Sequence, residues 1–196
     1  QQDLIKKIIS HDVENDEEVL FLILKEDKEK NKMMPGDFYP IGVKGIIIGK
    51  NQENSTGIKA ISRIQIDKIN IIDGEFQVEF SERADIEDIE EAKGQELIKE
   101  VKNELRRFVS VFPWGAVARN YIAKWNTLEE IAASMSYQLT ISSEEKYKIL
   151  ETDKISERHE RIRKAIYELI EITQIGNAAK KSTDTVPGKD VSGRSY

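Results

Sequence analysis

"SSEEKYKILETDKISERHERI", Ser142–Ile162, is the stretch from which the fold can be read. Ser142 or Ser143 stands where a helix cap belongs, and Glu144 and Glu145 follow in the first turn, where negative charge meets the positive end of the helix dipole. That short helix reaches Leu150. Thr152 or Asp153 caps a second, longer helix, along one side of which lie Ile155, Ile162, Ile166, Leu169 and Ile172. No nucleophile stands beside a matching base here, and no metal-ligand spacing appears. A polar stretch that keeps its caps and its apolar stripe reads as scaffold.

The same texture extends upstream. "NTLEEIAASMSY" opens with Asn126 or Thr127 as N-cap and has Glu129 or Glu130 near the third position, a capping-box signature. Its apolar stripe is Leu128, Ile131, Met135 and Leu139. Before it, Ile98, Val101, Leu105, Phe108, Val109 and Phe112 recur at helical spacing, and Pro113 stops the run. "GAVARNYIAKW" supplies another helical turn or two. Residues 85–175 thus read as a helical bundle ending in a long helix, and 176–196, with Ser, Thr, Gly and a Pro-Gly pair, as a flexible polar linker or tail.

The first 84 residues have a different period. Leu4, Ile5, Ile8 and Ile9 mark one face of a helix over Asp3–His11. The acidic "DVENDEE" separates it from "VLFLILK", Val19–Lys25, whose unbroken apolar run predicts a strand buried on both faces. "EDKEKNKMMPGD" reads as a solvated loop. Val43–Gly49 is a strand, "NQENSTG" a turn, and Ile58–Ile69 alternates, with Ile58, Ala60, Ser62, Ile64 and Ile66 on one parity. After the Asp-Gly turn of "IIDGE", "FQVEF" alternates again, with Phe76, Val78 and Phe80 inward. Three strands joined by short turns make an antiparallel meander. The fold class is therefore α+β: a small antiparallel β-rich part (1–84), then a helical part (85–175).

Composition narrows the function. The 196 residues carry 30 Lys and Arg against 36 Asp and Glu, a charge of −6 that argues against a nucleic-acid binder with its basic stripe. There is no Cys, hence no disulfide framework, thiol nucleophile or zinc-thiolate site. No apolar run reaches the roughly 18 residues of a membrane span. The start, "QQDLIKKIIS", lacks a signal-peptide core and an initiator Met, so the chain reads as a piece of a larger product.

Local motifs give no chemistry. "GIIIGKN" has one residue too few between its glycines for a phosphate loop, and Asn51 follows the lysine, so it reads as a buried strand. The two histidines, His11 and His159, sit in different helices, and His159 reads as a surface or boundary residue. The acidic run "DIEDIEE", Asp85–Glu91, reads as a solvated helix start matched to the dipole. "VFPWGAVARNYIAKW" holds both Trp. Phe112, Trp114, Tyr121 and Trp125 are the candidate binding patch, read either as a hinge core or as a surface for apolar peptide segments. No catalytic, cofactor or metal residue is assigned.

Taken in order, these segments resemble the amino-terminal domain of the Lon family of ATP-dependent proteases. In "TLEEIAASMSYQLTISSEEKYKILETDKISERHERI", Thr127–Ile162, Leu128, Ile131 and Ala132 match the family's "LADxIAxxL". Glu145, Lys146, Leu150, Glu151, Asp153, Glu157 and Arg158 match "LxxxEKQxLLExxDVxERLExL". "VLFLILKED" resembles the family's buried strand, and "DFYPIGVKGIII" its "DLYxVGTxAxIL" through Asp37, Tyr39 and Gly42. "IKAISRIQIDKINIIDGEFQVEF" is similar to its paired strands. The resemblance covers residues 1–172. It departs from the pattern at the start, where a strand of the type "LPLRDxVxFPG" is missing, near Gly176, where the long helix is expected to stop, and at His159, which stands for a usual Leu.

The resemblance implies a non-catalytic domain that recognises unfolded or damaged proteins and helps assemble a cytoplasmic hexamer. The Walker-type ATPase module, with its ATP and Mg²⁺, and the Ser-Lys protease module would follow in the full-length protein. A stand-alone binding adaptor of the same domain type is the alternative.

Overall fold

A computed structural model describes Glu18–Lys50, Thr56–Ile72 and Glu75–Thr183. The expected first helix, the "NQENS" portion of the first turn, the Asp-Gly turn and most of the expected tail lie outside the described residues. Among the described residues the fold is α+β: an antiparallel sheet and then five helices. The four strands are β1 (Glu18–Phe21), β2 (Ile41–Lys50), β3 (Thr56–Ile72) and β4 (Glu75–Arg83), ordered β1-β2-β3-β4. The helices are α1 (Glu91–Val109), α2 (Gly115–Lys124), α3 (Leu128–Ser134), α4 (Ser143–Glu151) and α5 (Ile155–Thr183). The chain forms two compact units. The first comprises the sheet as far as Ile86 together with Lys146–Asp153; the second comprises Glu87–Glu145 and the chain from Lys154 onward.

In the first unit, Met33, Phe38, Ile41, Ile47, Ile64 and Tyr147 form the core. The run expected to be a strand buried on both faces is regular only over Glu18–Phe21 and is half-buried. Among the described residues it pairs on one side only, with β2. Beyond it the chain pairs with 37–39: Tyr39 N–H donates to Ile23 O at 2.8 Å, and Lys25 N–H to Asp37 O at 2.9 Å. The expected solvated loop contains two single 3-10 turns, Lys30–Lys32 and Pro35–Asp37, and buries Met33.

The residues that carry the sequence resemblance in this unit do structural work. Asp37 accepts from Met34 N–H at 2.8 Å, closing its turn. Tyr39 stacks on Tyr147, with centroids 3.7 Å apart, and the Tyr147 hydroxyl accepts from the buried Ile41 N–H at 3.1 Å. At Gly42 a side chain would place its Cβ 2.6 Å from Phe21 O, so only glycine lets β1 and β2 approach this closely. Asp153 takes a bidentate fork from Arg83, at 2.7 and 2.8 Å. Arg63 donates to Leu150 O at 2.8 Å and Thr152 O at 3.0 Å. These bonds fasten Lys146–Asp153 to the strands.

Strand parity is interrupted by bulges. Lys44 and Gly45 pair with Ser62 and Ala60, leaving Ile61 as an extra residue, and Ile66 and Lys68 pair with Phe80 and Glu79, leaving Asp67. Each bulge resets which parity faces inward. Ile64 is fully buried as expected, whereas Ala60, expected on the same face, is exposed, and Phe80, expected inward, is 40% exposed.

In the second unit the core is helical: Ile98, Val101, Leu105 and Val109 of α1, Ile122 of α2, Leu128 and Ile131 of α3, and Ile162, Ala165, Ile166, Leu169 and Ile170 of α5. The expected caps form at two starts. Thr127 Oγ1 accepts from Glu130 N–H at 3.1 Å, and Ser142 Oγ from Glu145 N–H at 3.1 Å. The first turn of α5 is closed from a distance: Asp88 accepts from the Ser156 N–H at 2.9 Å and hydroxyl at 2.7 Å. Asp153, one of the two expected caps, is occupied by Arg83 instead. The helix also runs past Gly176, where it was expected to stop. One glycine costs only about 1 kcal/mol relative to alanine, and the Ala and Lys residues that follow favour helix.

Candidate functional site

The four residues singled out from the sequence lie at and beyond the junction of α1 and α2. Helix α1 ends at Val109, and five residues, Ser110–Trp114, turn the chain into α2 at Gly115. Phe112 N–H donates to Val109 O at 3.1 Å and Gly115 N–H to Phe112 O at 2.9 Å. A Cβ on Gly115 would lie 2.0 Å from Val109 O, so the turn exists in this form only because residue 115 has no side chain.

The turn gathers aromatic rings. Phe108 meets Phe112 edge-on at 5.2 Å, and Phe112 stacks on Trp114 at 4.8 Å with ring planes 10° apart. Trp114, Val117 and Tyr121 then follow at helical spacing on one face of α2. Trp114 is 52% exposed, Val117 and Tyr121 60% each, and Val111 in the turn 75%. Lys124 Nζ lies 5.8 Å from the centroid of the Tyr121 ring. Trp125 differs from the others: it is half-buried at the end of α2 and offers its carbonyl to Lys102 Nζ at 2.6 Å. Phe112 and Trp114 are thus brought together, Tyr121 continues their surface along the helix, and Trp125 is an anchor at its end.

Chemically this is an apolar, aromatic surface with few fixed donors or acceptors. Such a surface grips side chains by area and does not read a hydrogen-bonding pattern.

The titratable groups point elsewhere. His159, expected at the surface or its boundary, is buried, at 7% exposed. Its Nε2 lies 3.4 Å from Glu129 Oε1, and Arg158 Nε donates to the same oxygen at 3.0 Å. Burial works against the charge on Glu129. The hydrogen bonds from His159 and from its own backbone amide, with the field of Arg158, outweigh it and bring the carboxyl from 4.5 to about 2. The acidic run is divided: Asp85 bonds Arg63, while Asp88 caps α5. Among the described residues no three His, Asp or Glu side chains gather as metal ligands would, and no helix is long and apolar enough to cross a membrane.

Residues 2–167 match the ATP-dependent protease La (LON) substrate-binding domain. The chain belongs to that family. Over 157 residues it is 27% identical to the Lon protease of Clostridium beijerinckii, covering 79% of this chain and 19% of that protein. The chain thus spans about a fifth of the length of that relative. In three dimensions it is similar to the N-terminal domain of the Mycobacterium avium complex Lon protease, with a TM-score of 0.52 and 16% identity, over 79% of this chain and 92% of that one. That likeness bears on the fold.

The family's expected pattern was legible in the order of the segments. Two residues that support the aromatic surface without belonging to it were not: Gly115, whose only signal was its place after a Pro-Trp pair, and Lys102, one lysine among many on a charged helix.

Proposed function

We propose that this domain recognises unfolded or damaged proteins for a Lon-type ATP-dependent Ser-Lys protease and helps to assemble its hexamer in the cytoplasm. The observation that carries this reading is the family match across residues 2–167. ATP and Mg²⁺ would act in modules outside this domain, which contributes binding and no bond chemistry. The exposed face formed by Val111, Trp114, Val117 and Tyr121 is the surface on which a substrate segment docks. An unfolded chain exposes apolar side chains that a native one buries, so a shallow aromatic surface discriminates between the two states without reading a sequence.

Fluorescence anisotropy with a labelled protein kept unfolded by reduction and carboxymethylation of its cysteines, alongside its native form, tests the reading. Preference for the unfolded form is expected, weakened about tenfold by Trp114→Ala or Tyr121→Ala, as for an aromatic hot spot. Equal binding of both forms, or none, would overturn substrate selection by this domain. Unchanged binding by both variants would move the site away from α2.

A further inference from the structure

Helix α2 carries the aromatic face but is weakly anchored by apolar contact. Of its ten residues only Gly115 and Ile122 are buried, and no side chain caps its N-terminus. A helix this short is marginal by itself, so something else must hold Trp114, Val117 and Tyr121 in one plane.

The last carbonyls of α2 show what does. Lys102, half-buried on α1, directs its Nζ to Trp125 O at 2.6 Å and Ala123 O at 3.1 Å. Asn126 Nδ2 donates to the carbonyl that lies between them, Lys124 O, at 3.1 Å. Asn126 is itself fixed, its N–H donating to Glu130 Oε2 at 2.6 Å in the capping arrangement of α3. Three successive carbonyls are thus satisfied by side chains, two of them by one ammonium from a neighbouring helix. A cation there answers both the unpaired carbonyls and the negative end of the helix dipole. The N-terminal end is fixed by the tight turn at Gly115, and the C-terminal end by Lys102.

We infer that Lys102 is the positioning residue of the aromatic surface: its ammonium pins the C-terminal end of α2 to α1, and the surface grips a substrate segment only while that pin is in place. The inference rests on the reading of α2 as the docking face. The hydrogen bonds of Lys102 go to the carbonyls of Ala123 and Trp125, neither of them on the docking face, so it would contribute through α2.

The test compares Lys102→Met, which keeps the stem and removes the charge, with Lys102→Arg, which keeps a donor, and with Trp114→Ala. Amide hydrogen exchange over residues 118–125 and anisotropy with the same carboxymethylated probe are read on each. For K102M, three- to tenfold faster exchange over 118–125 and three- to tenfold weaker binding are expected, the range of a helix-terminal cation. K102R should restore both. Unchanged exchange in K102M overturns the inference whatever the binding shows. Faster exchange with full binding in K102M, while W114A loses binding, overturns it and leaves the docking face standing. Full binding by W114A as well removes the docking face, and the positioning role with it.

Discussion

Glu129 shows how one carboxylate ties two helices together. It belongs to α3, and its partners Arg158 and His159 belong to α5. Its folded pKa of about 2 lies below the ordinary 4.5, so the stability it supplies is fully present above about pH 4.5 and disappears as the pH falls towards 2. The gap corresponds to roughly 3 kcal/mol at 1.36 kcal/mol per unit. With 40% of the side chain exposed, screening reduces this to about 1–2 kcal/mol. Denaturant titrations of the native chain and Glu129→Gln should therefore differ by that amount at pH 7 and converge near pH 2; a difference independent of pH would show that the carboxylate's charge is immaterial. Gly115 acts by what it lacks. Gly115→Ala forces Val109 O or the helix to move, and the loss should exceed about 2 kcal/mol with increased solvent quenching of Trp114. Neither effect was readable from the sequence. His159 sat at the edge of an apolar stripe, and periodicity cannot tell which carboxylate the fold will bring to it.

At the scale of elements, the sequence was most informative where the pattern is local. The Thr127 and Ser142 caps and the stripe from Ile98 to Val109 are decided within a few turns, and they form as expected. Parity in β3 held at Ile64 and not at Ala60, because a bulge depends on the partner strand: nothing near Ile61 or Asp67 announces that two residues will face one. The start of α5 failed for the same reason, its cap Asp88 being 68 residues away. The fastening of α4 to the sheet is likewise long-range, and two variants test its parts. Tyr147→Phe keeps the stack on Tyr39 but leaves the buried Ile41 N–H without its acceptor, which should cost about 1–3 kcal/mol. Asp153→Asn weakens the fork from Arg83, and a double-mutant cycle with Arg83→Met should give a coupling of about 1–3 kcal/mol. A coupling near zero would mean that the fork is only a surface ion pair.

For the whole molecule, the α+β order was legible because the period of the apolar residues changes after Ser81, but no local pattern signals that the first unit is discontinuous. The strands supply most of it, and Lys146–Asp153 supplies Tyr147, Asp153 and the carbonyls that hold Arg63. A chain in which Lys146–Asp153 is replaced by a Gly-Ser linker of equal length should therefore retain helical circular dichroism from the second unit while its strand amides exchange quickly; strand protection equal to that of the native chain would show the segment to be dispensable. There is a consequence for biogenesis. At about 5–20 residues per second, a ribosome that has finished β4 needs on the order of ten seconds to deliver Asp153. For that interval the nascent sheet must wait with the Ile41 amide lacking its acceptor and with Arg63 and Arg83 short of part of their partners, a window in which a chaperone would find it and in which a pause in translation would be felt.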